Sequence, residues 1–235
     1  MKKPAEFKWK HYQPDIILLT VRWYLRYNLS FRDLVEMMEE RGLSIAHTTI
    51  MRWVHQYGPE LDERVRRHLK PTNDSWRVDE TYIKVKGQWM YLYRAVDSEG
   101  NTIDFYLSKT RDHKAAKYFF KKTLRSIHVS KPRLITIDKN PAYPVAIQQL
   151  TDEKKMPEGI QLRQVKYLNN MVEQDHRFIK KRVRSMLGFK SYETATSILS
   201  GVEAMHMIKK EQLDLRDQSV QNQKEFIHQL FELVA

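Results

Sequence analysis

Cysteine is absent from this 235-residue chain, which excludes disulfides and thiolate metal sites and is consistent with the cytosol. Glycine is scarce, at seven residues, and no low-complexity tract interrupts the sequence. Long apolar runs are also missing. The longest cluster, "IILLTV", is far too short to span a bilayer, and the opening "MKKPAEFKWKHYQPD" has basic residues without the apolar core of a signal peptide. Acids are outnumbered, with 29 Asp and Glu against 41 Lys and Arg, giving a formal charge of +12. Apolar residues at 41% exclude a basic disordered tail. The expectation is a folded, soluble, intracellular (cytoplasmic) protein with no membrane-spanning segment and a polyanionic partner, either nucleic acid or an anionic lipid surface.

The excess charge is concentrated. Residues 109–133 carry a net +8 and residues 166–190 a net +5, so the rest of the chain comes to about −1. That distribution suits a groove for phosphates better than a uniformly solvated surface.

Residues 1–75 read as an all-helical module with a linker. "PDIILLTVRWYLRYN" begins with Pro14 in a first turn and repeats apolar residues at helical spacing. Ser30 and Asp33 form a capping-box pattern ahead of "FRDLVEMMEERG", and Gly42 supplies the stop. A third helix, "AHTTIMRWVHQYG", follows a short turn, and "GPELDERVRRHLKPTNDS" reads as a further helix and polar linker. Three short helices in this order resemble a helix-turn-helix, with His47, Thr48, Thr49 and Arg52 as donors at the start of the recognition helix.

From Trp76 the period changes to that of strands. "WRVDETYIKV", "QWMYLYRAV" and "TIDFYLS" read as an antiparallel meander with turns at "KG" and "SEGN". A helix, the strand "RLITID", a helix through "YPVAIQQL" and a fifth strand "IQLRQV" follow, and residues 171–213 read as helical. This is an α+β order of the ribonuclease-H-like type. The expected division is 1–75 for the helix-turn-helix module, 76–213 for the catalytic domain and 214–235 for a helical tail. In that tail Phe226, Leu230, Leu233 and Val234 form a stripe suited either to a partner or to the chain's own core.

Carboxylates inside the strands call for an explanation, because a half-buried charge is costly unless something binds it. Asp79 lies in the first strand, Asp138 ends the fourth, and Glu173 shares a helical face with His176, Arg177 and Lys180. Phosphodiester chemistry uses two divalent ions about 4 Å apart, and Mg²⁺ prefers carboxylate oxygens. Glu80, Asp97, Asp104 and Asp175 compete for the role, and strand alternation alone does not choose between Asp79 and Glu80.

Taken together, "DETYIKVKGQWMYLYRAVDSEGNTIDFYLS", "ITIDKNPAY" and "KYLNNMVEQDHRFIKKRV" resemble the small DDE transposases of bacterial insertion sequences, in particular the group that forms cointegrates by replicative transposition. The resemblance covers nearly the whole chain. It implies Asp79, Asp138 and Glu173 as the catalytic, metal-holding carboxylates for two Mg²⁺ ions, with Mn²⁺ able to substitute, and Glu80 as a supporting neighbour. It implies Lys180 as a catalytic basic residue and Lys180 and His176 as contacts to the terminal phosphate. Arg177, Asn169 and Asn170 would make further DNA contacts. The implied activity is recognition of terminal inverted repeats in double-stranded DNA, 3′-end cleavage and strand transfer into target DNA by a dimer or larger synaptic assembly. Two alternatives stand beside it: a catalytically silent DNA-binding repressor or domesticated protein, and a ribonuclease-H-like nuclease that hydrolyses without joining.

Overall fold

A computed structural model of the chain describes residues 4–8, 10–165, 170–186, 188–215 and 217–233. It divides into two compact units, one of residues 1–69 and 184–235 and the other of residues 70–183. This differs from the division expected from sequence. In the observed division the C-terminal helices cluster with the N-terminal ones.

The helical unit begins with α1 (Pro14–Arg26), whose Ile17, Val21, Tyr24 and Leu25 are buried. Helix α2 (Phe31–Glu39) carries the expected capping box: Ser30 N–H donates to Asp33 Oδ2 at 2.7 Å, and Asp33 N–H donates to Ser30 Oγ at 3.2 Å. Each bond satisfies a backbone donor that the helix cannot pair internally. Gly42 follows at φ 72°, a left-handed geometry that suits glycine.

Helix α3 (His47–Arg66) does not stop at "GP" as the sequence suggests but continues through Pro59. Proline has no N–H to offer the carbonyl four residues back, which is that of His55. The Ser197 hydroxyl donates to that carbonyl at 2.8 Å, replacing the lost bond from a distant part of the chain. Ser197 belongs to α7 (Tyr192–Lys209), the principal packing partner of α3. The two backbones meet at paired glycines: a Cβ built on Gly201 would lie 2.9 Å from the Gly58 Cα and 2.7 Å from a Leu25 methyl.

Residues 171–213 are not one helical run. Helix α6 (Asn170–Ser185) ends before Gly188, at φ 89°, and Ser191 with Thr194 forms a second capping box that starts α7. Helix α8 (Val220–Leu230) leads to Phe231, fully buried against Phe7 and Tyr57 with ring centroids 6.1 and 5.9 Å away. The C-terminal segment therefore packs on the core of its own unit, through Ile227 and Phe231 rather than the stripe expected at 226, 230 and 233. Val234 lies outside the described residues.

The second unit is built on a five-stranded mixed sheet of order β3-β2-β1-β4-β5. Strands β1 (Ser75–Val85), β2 (Gln88–Asp97) and β3 (Thr102–Ser108) form the expected antiparallel meander. Lys86 and Gly87, at φ 48° and 80°, make the two-residue turn between the first two, a geometry matched to strand twist. Strand β4 (Leu134–Ile137) runs parallel to β1, and β5 (Gln161–Gln164) runs parallel to β4. Helices α4 (His113–Thr123) and α5 (Ala142–Asp152) cover one face, where Trp76, Val78 and Tyr93 pack with Phe119, Phe120 and Tyr143. Among the described residues no helix is long and apolar enough to cross a membrane.

The Gly58–Gly201 crossing generates a direct expectation. Gly201→Ala adds a better helix former, yet Leu25 can swing aside while the Gly58 backbone cannot. We expect a net loss of about 1–3 kcal/mol, the usual scale for overpacking a close contact. Urea unfolding followed by circular dichroism measures it, and a variant at least as stable as wild type would contradict the close crossing.

Candidate active site

The β1–β4 ladder sets the site. Parallel pairing joins Ser75 to Leu134, Trp76 to Ile135 and Arg77 to Thr136 and then stops. Continued in the same register, Asp79 falls opposite Asp138, just past the end of the short strand. The residues just beyond the paired segment thus bring two carboxylates side by side at the opening of the sheet. Glu173, on the first turn of α6, completes an open cleft of about 520 Å³ that Asp79, Asp138 and Glu173 line with Arg111, Lys139, Asn140 and Pro141.

Helix α6 is oriented by what it buries. Val172, Asp175, His176 and Ile179 form its inward stripe, at helical spacing. Asp175 pairs with the fully buried Arg94 of β2 at 2.6 Å, and Arg94 is the cross-strand neighbour of Asp79. Removing one partner of such a pair would leave a charge uncompensated in the interior, so Asp175 is part of the scaffold. With Asp175 turned in, Glu173 is exposed at the cleft.

The other competing acids are likewise engaged within the protein. Asp97 accepts backbone N–H groups from Asn73, Glu99 and Asn101 at 2.9–3.1 Å. Asp104, fully buried, holds Lys122 at 2.7 Å. Glu80 is 8% exposed, and both its oxygens have partners: Arg111 Nε and Asn140 Nδ2 donate to Oε1, and the Tyr143 hydroxyl donates to Oε2. Burial, and then the charge of Glu80, hold the Tyr143 phenol well above its usual range, so Tyr143 remains a donor.

By contrast Asp79 accepts a hydrogen bond at Oδ1 from its own neighbour's N–H, that of Glu80 at 2.9 Å. Asp138 Oδ1 accepts one from Asn140 N–H at 2.9 Å, and its Oδ2 lies 3.7 Å from the Arg111 guanidinium. Burial pushes Asp79 up to about 7, with the charges of Glu80, Asp138 and Glu173 acting in the same direction. Carboxylate oxygens of Asp79, Glu80 and Asp138 lie within 4.8 Å of one another. An all-oxygen cluster in which neighbouring charges oppose the ionisation of Asp79 fits a hard divalent cation, which would relieve that repulsion. Of the acids in that cluster Glu80 is the least free to bind one, because three donors already occupy it.

His176 does not lie where sequence spacing placed it. It is 5% exposed on the inward stripe of α6, with Nδ1 3.9 Å from Asp79 Oδ2. Burial, then the Arg94 charge, pushes its imidazole down to about 3, so this contact joins a neutral ring to a carboxylate. Arg177 and Lys180 are exposed on α6, outside the residues that line the cleft. Asn170 begins α6, and Asn169 lies outside the described residues. On α3, His47 and Arg52 are exposed and Thr48 and Thr49 half-buried, all within its first two turns.

The basic segment 109–133 is partly consumed by internal pairing, since Lys117 holds Glu153 at 2.5 Å and Lys122 holds Asp104. Arg111, Asn140 and Tyr143 were not singled out from sequence. The "NPAY" that follows Asp138 and Lys139 is the sequence signal for Asn140 and Tyr143, whereas Arg111 is one basic residue among nine in 109–133.

Residues 73–212 match a DDE domain family. The chain is 40% identical over 204 residues to a transposase for the insertion sequence-like element IS431mec of Staphylococcus aureus, covering 87% of this chain and 88% of that protein. It is 39% identical, with the same coverage, to a transposase for insertion sequence element IS257 in transposon Tn4003 of the same species. Among solved structures, the catalytic core domain of BIV integrase overlays 66% of this chain and 94% of its own at TM-score 0.44 and 15% identity.

The raised Asp79 carboxyl makes stability depend on pH. Between the unfolded value near 4 and about 7 the native state binds more protons than the unfolded one, so stability falls as pH rises and levels off above 7. In a chelator, Asp79→Asn should remove this slope and melt above wild type at pH 8 but not at pH 5. Added Mg²⁺ should raise the wild-type midpoint more at pH 8 than at pH 6. Parallel melting curves for the two proteins across this range would contradict the assignment.

Proposed function

We propose, for a chain that belongs to the DDE transposases of insertion sequences, that it binds the terminal inverted repeats of its element, frees their 3′ ends and joins them to target DNA. The observation that carries this reading is the sorting of carboxylates: Asp79, Asp138 and Glu173 face one open cleft, while Asp97, Asp104 and Asp175 are bound within the protein. The mixed sheet, with three antiparallel and two parallel strands, supports a ribonuclease-H-like catalytic unit.

In this reading Asp79, Asp138 and Glu173 hold two Mg²⁺ ions, and Mn²⁺ suits the same oxygen donors. Ions held there supply the Lewis acidity that activates a water or 3′-hydroxyl and stabilises the leaving oxygen. The short β1–β4 ladder fixes the spacing of the two aspartates, and the buried Arg94–Asp175 pair fixes the helix that carries Glu173. Glu80 and Tyr143 act on the site indirectly, by fixing Arg111 at its rim beside Asp138. Lys180 and Arg177, exposed on α6, meet DNA phosphates outside the cleft.

Helices α2 and α3 form a helix-turn-helix whose exposed His47 and Arg52, with Thr48 and Thr49, read the repeat. Because α3 packs on α7 through Gly58 and Ser197, this reader extends beyond residue 75. Two repeat ends must be held together, so the working form is a dimer or larger assembly. A cytoplasmic, nucleoid-associated location follows from the substrate.

Two experiments test these assignments on the full-length chain. In parallel gel assays, Asp79→Asn, Asp138→Asn and Glu173→Gln should keep repeat-end binding and lose cleavage and joining by several orders of magnitude, as should wild type in chelator. A variant that joins ends at near wild-type rate removes its residue from the set. Separately, Arg52→Ala should reduce the preference for repeat over scrambled duplex by about 1–3 kcal/mol in anisotropy titrations. An unchanged preference would move recognition elsewhere.

A further inference from the structure

One face of the β1–β2 hairpin is unusual for a solvated sheet. Beyond Glu80, side chains on the α4/α5 side of β1 emerge from the core, and the first is Tyr82, 46% exposed. Its cross-strand partner is Tyr91, with ring centroids 5.3 Å apart. Trp89, 61% exposed, stands edge-on to Tyr82 at 6.4 Å, and Lys84 Nζ sits 5.6 Å over the indole ring. Residues 81–96 contain no Asp or Glu, while Lys84 and Lys86 are exposed.

The patch is continuous with the cleft. Tyr82 is the next residue after Glu80 on this side of the strand, and Glu80 holds Arg111, which lines the cleft beside Asp138. Aromatic rings open to solvent with lysines beside them and no acid form the combination that binds unpaired bases: the rings stack on base faces and the cations follow the backbone. A paired duplex buries its base faces, so it cannot use such rings. Exposed Tyr and Trp also suit a contact between protein chains, but lysine is depleted at such contacts, and the lysines beside these rings favour a polyanion.

From this we infer that Tyr82, Trp89 and Tyr91, with Lys84, form a stacking platform for unpaired bases of a DNA end engaged in the adjacent cleft. The inference rests on the proposed transposase reading and deepens it. It assigns to this hairpin a preference for ends whose terminal pairs are open. Opening the pairs costs stacking within the duplex, and the platform offsets it by replacing base–base with base–ring contact. Cross-strand aromatic pairs also stabilise hairpins, so the test must separate folding from binding.

The test uses full-length protein and four labelled duplexes in anisotropy titrations: a blunt repeat end, the same end with its last pairs mismatched, and a scrambled duplex in the same blunt and mismatched forms. The wild type should bind both mismatched ends more tightly than their paired forms. Trp89→Ala should weaken mismatched-end binding about tenfold, within the usual range for losing one base–ring stack, and barely change the blunt end. Trp89→Phe should recover most of the loss, and Lys84→Gln, which keeps the rings, should lower the salt dependence. 2-Aminopurine at the mismatched terminus should be quenched by wild type and not by Trp89→Ala.

Equal loss on blunt and mismatched ends, or no loss, overturns the platform. So does a Trp89→Ala protein that binds normally but sediments as a smaller species, which would make the patch a contact between copies. If the wild type shows no preference for repeat over scrambled DNA yet still favours mismatched ends, the repeat-binding reading fails while the platform stands.

Discussion

The parallel ladder between β1 and β4 is the constraint on which the rest of the site depends. It is only a few residues long, and its register places Asp79 and Asp138 opposite one another at the point where pairing ends. A slip of one residue would turn Asp79 to the other face of the sheet, because side-chain direction alternates along a strand. The register is held by what lies on either side of it: Trp76, Val78 and Ile135 pack into the core beneath α4 and α5. Burial of these apolar side chains therefore sets the spacing of two carboxylates that, without a cation, repel each other.

Adjacent residues on β1 divide the work between the sheet faces. Asp79 faces α6, where Arg94 and Asp175 form a buried pair and His176 is forced neutral. Glu80 faces α5, where Tyr143 and Asn140 meet it and Arg111 is drawn in from the segment after β3. One dipeptide thus ties the helices on both faces to the mouth of the cleft. Uncompensated carboxylates at this density would be costly, and among the described residues Glu80, Asp97, Asp104 and Asp175 each have partners within the protein.

Much of this was legible in the sequence, for reasons that are local. The capping box at Ser30, the turn at Lys86–Gly87 and the order of strands depend on contacts between near neighbours, and residue patterns report such contacts. The placement of Asp79, Asp138 and Glu173 on one cleft was also legible, from motif resemblance more than from periodicity. What stayed hidden depends on partners far along the chain. Nothing near Pro59 reveals that Ser197 will satisfy the carbonyl it frees, so α3 was cut short. Val172 and Ile179 mark the buried stripe of α6 by their spacing, but a stripe that passes through Asp175 and His176 is recognisable only once the buried Arg94 that pairs with Asp175 is known.

The same non-local packing bears on how recognition would relate to chemistry. The proposed recognition helix α3 is held by α7, and α7 follows α6, which carries Glu173, after a short break at Gly188. The chain therefore leaves the helical unit after α3, builds the sheet and cleft, and returns to buttress α3 from behind. A truncation that keeps residues 1–75 would discard Ser197 and Gly201 and leave the His55 carbonyl and the α3 groove without partners. An unpaired backbone carbonyl and an uncovered close helix crossing both destabilise a helix, and α7 is the element that supplies the partners for each. The helical unit is consequently assembled from two segments that the sheet unit interrupts, so its fold depends on residues from both ends of the chain.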